Sequence, residues 1–205
     1  MFIDKSTAVI MPTRGILRAE VLAYMLRLRA PLGFLRPFVL VPGLEVADAY
    51  NEGMRLVMDL DPVPTYVLTI EDDMLPEAGA HLALLRSIEE TGADAVAGFY
   101  RAKNEEGTPL CFGNDFRPFE PPPGECIRVS AVPFGFTLWR TSLFEKMPTL
   151  SPPGDAPRWF QTIETETETV THDLDFCMRM PAGTKLMLDA SVNVGHIDLR
   201  SGKVY

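Results

Sequence analysis

The stretch Thr65-Tyr-Val-Leu-Thr-Ile-Glu-Asp-Asp-Met-Leu-Pro76 runs an apolar, β-branched segment straight into three consecutive carboxylates. Adjacent negative charges repel, so Glu71, Asp72 and Asp73 belong either in a solvated loop or beside a cation that offsets them. A hard divalent ion such as Mg2+ or Mn2+ takes oxygen ligands and typically bridges one or two protein carboxylates to a substrate phosphate. Other residues able to do chemistry are dispersed: Thr13 and Arg14 after an apolar run, Asn51 at a helix start, Trp159, the pair His172-Asp173 and a late His196. Each also has an ordinary structural role open to it. Arg14 suits a solvated loop, Asn51 a local cap, Trp159 a core and His196 a satisfied strand position. Asp173, in a first helical turn, would there stabilise the helix by a few tenths to ~1 kcal/mol.

The elements that must position these residues follow from hydrophobic periodicity. Residues 7–11 read as a buried strand stopped by Pro12, followed by a helix over 18–30. A second strand (37–41), broken by Pro42-Gly43, leads into a helix over 46–58. A third strand (65–70) ends in the carboxylates, and a helix over about 77–91 and a strand over 94–100 complete the alternation. Such alternation predicts right-handed crossovers and a mostly parallel sheet covered on both faces, with ligands outside the carboxyl ends of the strands. Pro12-Thr13-Arg14, Pro42-Gly43 and Glu71-Asp72-Asp73 all fall at that edge.

From residue 101 to 132 the pattern changes to loops and short strand-like pieces, which predicts an antiparallel addition. A short helix (140–147), a Pro- and Gly-rich loop (151–156) and a polar acidic tract (161–169) come next. The tract can bury little surface and is expected to be a mobile loop that closes over a bound ligand. A helix over 171–180, a stop at Gly183 and two strand-like pieces, 185–188 and 192–195, finish the chain.

Composition narrows the function. The 205 residues are 46% hydrophobic and 23% charged, with a formal net charge of -9 and no basic run. That size suits one globular domain, and that charge disfavours non-specific attraction to nucleic acid or to an anionic membrane. Three cysteines without zinc-ligand spacing argue against a disulfide framework, and no signal-peptide architecture or spanning apolar run is present. The expectation is a cytoplasmic protein.

Taken in order, the motifs resemble nucleotide-sugar-dependent glycosyltransferases of the GT-A fold, in a small, single-domain, family 2-like form. Ala8-Val-Ile-Met-Pro-Thr-Arg14 is similar to that family's first strand and nucleotide-binding loop, and Ala49-Tyr-Asn-Glu-Gly53 to the segment preceding its third strand. Glu71-Asp72-Asp73 corresponds to the acidic metal signature, usually Asp-x-Asp. Gly135-Phe-Thr-Leu-Trp-Arg140 looks like the segment leading into the acceptor-side helix. Thr171-His-Asp-Leu-Asp-Phe-Cys177 resembles the late acidic motif facing the acceptor, and Val194-Gly-His-Ile197 the terminal strand whose histidine completes the metal site.

The resemblance covers nearly the whole chain. It implies a Rossmann-like GT-A fold over residues 1–205, with a nucleotide-binding half (1–100) and an acceptor-side half (101–205). It further implies Mn2+ or Mg2+ on Asp73 and His196, and a nucleotide-sugar donor held by Pro12, Thr13, Arg14, Asn51, Glu71 and Asp72. Glu71 stands where an Asp is usual and would reach the ribose, or the metal through water; Asp72 alternatively anchors the loop. Asp173 becomes the general base that activates an acceptor hydroxyl in an inverting transfer, while Asp175 points elsewhere and solvates or caps. His172 and Trp159 are candidates for the acceptor or sugar subsite, since aromatic faces stack on pyranose rings. The acceptor could be a saccharide, a protein or a small molecule, and self-association stays open. The Gln-x-x-Arg-Trp motif of processive synthases is absent, Asp155 standing where Gln would be. A sugar-phosphate nucleotidyltransferase lacks support because only Gly15 follows Arg14 where a Gly-rich loop is needed. A non-catalytic nucleotide-sugar-binding module is the alternative of a different class.

Overall fold

A run of seven buried residues cannot alternate between core and solvent and must be covered on both faces, as β1 (Thr7–Thr13) is. The computed structural model describes residues 6–31, 37–165 and 169–205. After β1 come α1 (Ala19–Arg27), β2 (Phe38–Pro42), α2 (Val46–Met58), β3 (Tyr66–Ile70), β4 (Met74–Pro76), α3 (Ala80–Thr91) and β5 (Ala95–Phe99). The second half adds β6 (Cys126–Val129), β7 (Phe136–Arg140), α4 (Thr141–Lys146), β8 (Ile163–Glu164), β9 (Thr169–Val170), α5 (His172–Met178) and β10 (Leu186–His196). Among the described residues no helix is long and apolar enough to cross a membrane.

Eight strands form one sheet in the order β2-β1-β3-β7-β5-β10-β4, with β6 also pairing β10. β2, β1, β3, β5 and β10 share a direction, and β7, β6 and β4 oppose it. The result is a mostly parallel α/β sheet with an antiparallel addition, as expected. β8 and β9 form a separate two-stranded antiparallel pair, with β8 inside the 161–169 tract and β9 at its end, so the tract is not loop throughout. Residues 166–168 of that tract lie outside the described residues.

Several boundaries differ from the sequence reading, each for a physical reason. Pro12 does not stop β1, because it pairs with Val41 on the β2 side and the β1–β3 ladder ends at Ile10. Its missing N–H would point to that vacated side, where a strand tolerates proline. The two C-terminal pieces are one strand, β10, interrupted by a register shift between Asp189 and Asn193. β7 was not anticipated as a central strand, yet it lies antiparallel between β3 and β5.

Two apolar layers cover the sheet. On one side α1 and α3 bury Val21, Met25, Leu84 and Ile88 against Val9, Leu68 and Val96. On the other, α2, α4 and α5 enclose an aromatic cluster of Tyr50, Phe134, Trp139, Phe144, Phe160 and Phe176. Rings there meet mostly edge to face, Phe134 and Trp139 at 4.6 Å between centroids. Such pairs contribute about 0.5–1.5 kcal/mol each beyond their area. α2 sits close on β1 because Gly53 leaves room: a Cβ there would stand 2.5 Å from Ile10 Cγ2.

Candidate active site

At the carboxyl edge of the sheet a cavity of about 420 Å3 is lined by Pro12, Thr13, Arg14, Glu71, Asp72, Asp73 and His172, among others. Seven of the residues singled out in the sequence thus converge from β1, the β3–β4 connection and the start of α5. Leu44, Glu45, Val46, Thr162 and Thr171 complete the wall. Glu45 was not anticipated. Its carboxylate caps α2 by accepting from Ala47 N and Asp48 N, and it also accepts from Thr162 Oγ1 at 3.2 Å.

The acidic loop is held from three sides. Glu71 N donates to Gly135 O at 2.9 Å, and Ile197 N donates to Asp73 O at 2.9 Å. Asp72 anchors the opposite loop, accepting from Arg14 N at 3.0 Å and from Arg14 Nη2 at 2.5 Å. β4, which the sequence reading lacked, matters most here: pairing Met74 with His196 on β10 carries the histidine to the acidic loop.

Asp73 is buried, and its two oxygens face different groups. Oδ2 accepts from Lys103 Nζ and lies 3.4 Å from Arg14 Nη2. Oδ1 has no hydrogen-bond partner and lies 3.6 Å from His196 Nε2, beyond hydrogen-bond range. His196 Nδ1 is 2.7 Å from the Arg101 carbonyl, which can only accept, so Nδ1 carries the proton and Nε2 can offer a lone pair in the neutral ring. Burial raises the Asp73 carboxyl, but Lys103, together with His196 when its ring is protonated, outweighs it and holds it at about 2. An orphaned carboxylate oxygen facing an imidazole nitrogen fits two protein ligands of Mn2+, and imidazole favours Mn2+ over Ca2+. Among the described residues no group of three or more His, Cys, Asp or Glu could hold an ion. One or two protein ligands suffice where a substrate phosphate supplies the others.

Glu71 has a different character. Burial first, then the charges of Asp73 and Asp173, push its carboxyl up to about 8. At neutral pH it is therefore largely protonated, which lowers the repulsion within the triplet. The Tyr50 hydroxyl lies 3.3 Å from Glu71 Oε1 and 3.2 Å from the Phe134 carbonyl. A protonated Glu71 can donate to Tyr50 while Tyr50 donates to Phe134. Beside them His172 stacks on Tyr50, with ring centroids 5.2 Å apart, and its buried Nε2 has no partner. Burial lowers the His172 pKa, favouring the neutral ring.

Asp173 follows His172 in the first turn of α5 and is half-buried. Its Oδ1 accepts from Thr171 Oγ1 and from Leu174 N at 2.9 Å. It does not line the cavity wall. Its charge nonetheless reaches Glu71, Tyr50 and His172.

Three expectations are corrected. Asn51 is mid-helix rather than a cap, and it does not face the cavity. Its Oδ1 accepts from Trp159 N and Phe160 N at 2.7 and 3.0 Å, and its Nδ2 donates to Phe160 O at 2.8 Å, three of the four hydrogen bonds the amide can make. Trp159 is no sugar platform: it is 4% exposed, packs on Phe144 and donates Nε1 to Phe144 O. Asp175 neither solvates nor caps; it is buried in an ion pair with Arg179 at 2.8 Å and accepts from Gln161 Nε2. Lys103, the ion-pair partner of Asp73, was not singled out in the sequence either. No local motif marks it, and only the loop leaving β5 brings it to Asp73.

Comparison with known proteins bears on the fold. The sequence matches no family model and no curated protein. Solved structures do match. A197 from STIV superposes with a TM-score of 0.69 at 16% identity, over 97% of this chain and 92% of that one. S. aureus TarS 1-349 in complex with UDP-GlcNAc gives 0.59 at 12% identity, over 97% of this chain and 60% of TarS. GalNAc-T7 with UDP, GalNAc and Mn2+ gives 0.56 at 10% identity, over 96% of this chain and 44% of GalNAc-T7. The chain thus spans less than two thirds of the TarS and GalNAc-T7 chains. It has the GT-A glycosyltransferase fold.

Proposed function

We propose that this chain is a metal-dependent glycosyltransferase that moves a sugar from a nucleotide-sugar donor to a hydroxyl acceptor with inversion. The observation that carries the reading is Asp73, with one orphaned oxygen toward His196 and the other toward Lys103 and Arg14, at the mouth of the sheet-edge cavity. Asp73 and His196 would hold Mn2+ or Mg2+, which when bound offsets the charge that builds on the departing diphosphate. Arg14 and Lys103 add two fixed cations at the same place, where charge develops in the transition state. Asp72 acts through Arg14, fixing the loop that carries it.

On the acceptor side, Asp173 serves as the base. Thr171 and Leu174 orient one of its oxygens and leave the other to take a proton from the attacking hydroxyl. His172, stacked on Tyr50, forms part of the wall of the same cavity. Residues 1–100 supply the nucleotide contacts, and residues 101–205 supply the acceptor contacts together with Lys103 and His196. Uridine diphosphate sugars are the first donors to try, because the TarS and GalNAc-T7 structures carry UDP-GlcNAc and UDP.

The test is a thermal-denaturation panel of UDP-, GDP-, CMP- and dTDP-sugars with and without Mn2+, followed by an assay for nucleotide release with a hydroxyl acceptor. A ligand at 100 times its Kd stabilises the fold by about 2.7 kcal/mol. Stabilisation by one donor class only with Mn2+, then turnover, is the expected result. Donor binding without transfer to any acceptor would leave a binding module instead.

A further inference from the structure

α1 is apolar over more of its circumference than its packing uses. Val21 and Met25 face the core, while Leu22 and Leu26, on the adjoining flank, are 46% and 79% exposed. Phe38 and Leu40 on the edge strand β2 are about half exposed, and with the two leucines they line one apolar groove of about 440 Å3. Single exposed leucines are ordinary, but a contiguous apolar patch on a domain surface marks an interaction face.

Charge says what it meets. Of the described arginines up to residue 44, Arg14 pairs with Asp72 and Asp73 in the sheet-edge cavity and Arg18 pairs with Glu20, which leaves the two that follow Leu26. Arg27 and Arg29, beside Leu26, are exposed and form no ion pair among the described residues. We propose that the face made by α1 and β2 docks on an anionic lipid surface, with Leu22, Leu26, Phe38 and Leu40 entering the headgroup boundary and Arg27 and Arg29 contacting the lipid charge.

The net charge of the whole chain does not oppose this, because screening beyond about 8 Å at physiological salt leaves the local patch to dominate. A second copy fits less well. A two-fold contact sets a patch against itself and would bring these arginines together. The donor cavity opens next to the docked face, since Leu44, which follows β2 and is about half exposed, lines its wall. The inference does not depend on the transferase reading.

Co-sedimentation of the full chain with phosphatidylcholine vesicles, with and without phosphatidylglycerol, tests it. Binding only to the anionic vesicles, weakening as salt rises, is expected. Neutralising both arginines (R27Q/R29Q) should lower vesicle partitioning roughly 30-fold, about fivefold per charge. L22S/L26S should lower it at least ~10-fold. These side chains are exposed, so thermal melting should stay near the parent's, and the arginine pair alone suffices if the leucine variant melts early. Failure of the parent to sediment with anionic vesicles would overturn the proposal, as would binding that neither double variant changes. A dimer in sedimentation velocity that L22S/L26S dissolves, without vesicle binding, would assign the face to a second copy and overturn it too.

Discussion

In the proposed site two kinds of cation share the Asp73 carboxylate, on different oxygens. Lys103 and Arg14 take Oδ2, which leaves Oδ1 free toward His196, so fixed positive charge and a metal can act together. Lys103 is about a quarter exposed, and a charge-assisted contact in such a position is worth about 1.5–3 kcal/mol. Lys103→Met should therefore weaken nucleoside diphosphate binding by roughly 10- to 150-fold, read by calorimetric titration, while the fold persists. Unchanged affinity would make Lys103 only a partner that neutralises Asp73. Asp173→Asn keeps size and hydrogen-bonding shape but cannot accept the proton. Turnover should fall roughly 10²- to 10⁴-fold while donor affinity stays near the parent's. An unchanged rate would return Asp173 to capping α5. Asp73 and His196 could be picked out in sequence by motif order. Lys103 could not, because a lone lysine in a loop has no spacing to recognise.

The elements explain which of the residues read from sequence meet at the cavity and which lie behind it. Pro12, Thr13, Arg14 and the acidic triplet sit at ends of buried strands, and strand ends are readable from apolar runs. β4 is three residues long and β7 inserts antiparallel between two parallel strands; both depend on pairing with distant segments that local periodicity does not encode. Asn51 was misplaced for a related reason: its partners, the backbone of 159–160, lie more than 100 residues away. Asn51→Ala would leave buried Trp159 and Phe160 backbone groups unpaired. It should cost about 2–4 kcal/mol in denaturant unfolding yet leave donor affinity of the folded protein unchanged. A loss of affinity without loss of stability would restore Asn51 to the nucleotide site. Gly135 supports the same region. A Cβ there would meet the Tyr100 hydroxyl at 2.3 Å and Met74 at 2.7 Å, so Gly135→Ala should destabilise by about 1–3 kcal/mol and loosen the loop hydrogen-bonded to it.

Across the whole molecule, charge and topology divide the work. The sheet gathers the polar chemistry at one edge, as open α/β sheets do, and the surplus acid lies in the residues after 44. Overall composition hid that division, because a net charge of -9 averages a basic start with an acidic remainder. What unites the account is the proposed metal shared by Asp73 and His196, residues 123 positions apart that β4 and β10 bring together. Calorimetric titration of nucleoside diphosphates into the parent, Asp73→Ala and His196→Ala, each with and without Mn2+, addresses this directly. The account predicts that one nucleotide binds the parent at least roughly tenfold more tightly with Mn2+, a coupling of ~1.4 kcal/mol or more, and that either substitution abolishes the metal's effect without unfolding the chain. Equal affinity with and without Mn2+ in the parent, or a metal effect that survives both substitutions, would contradict it.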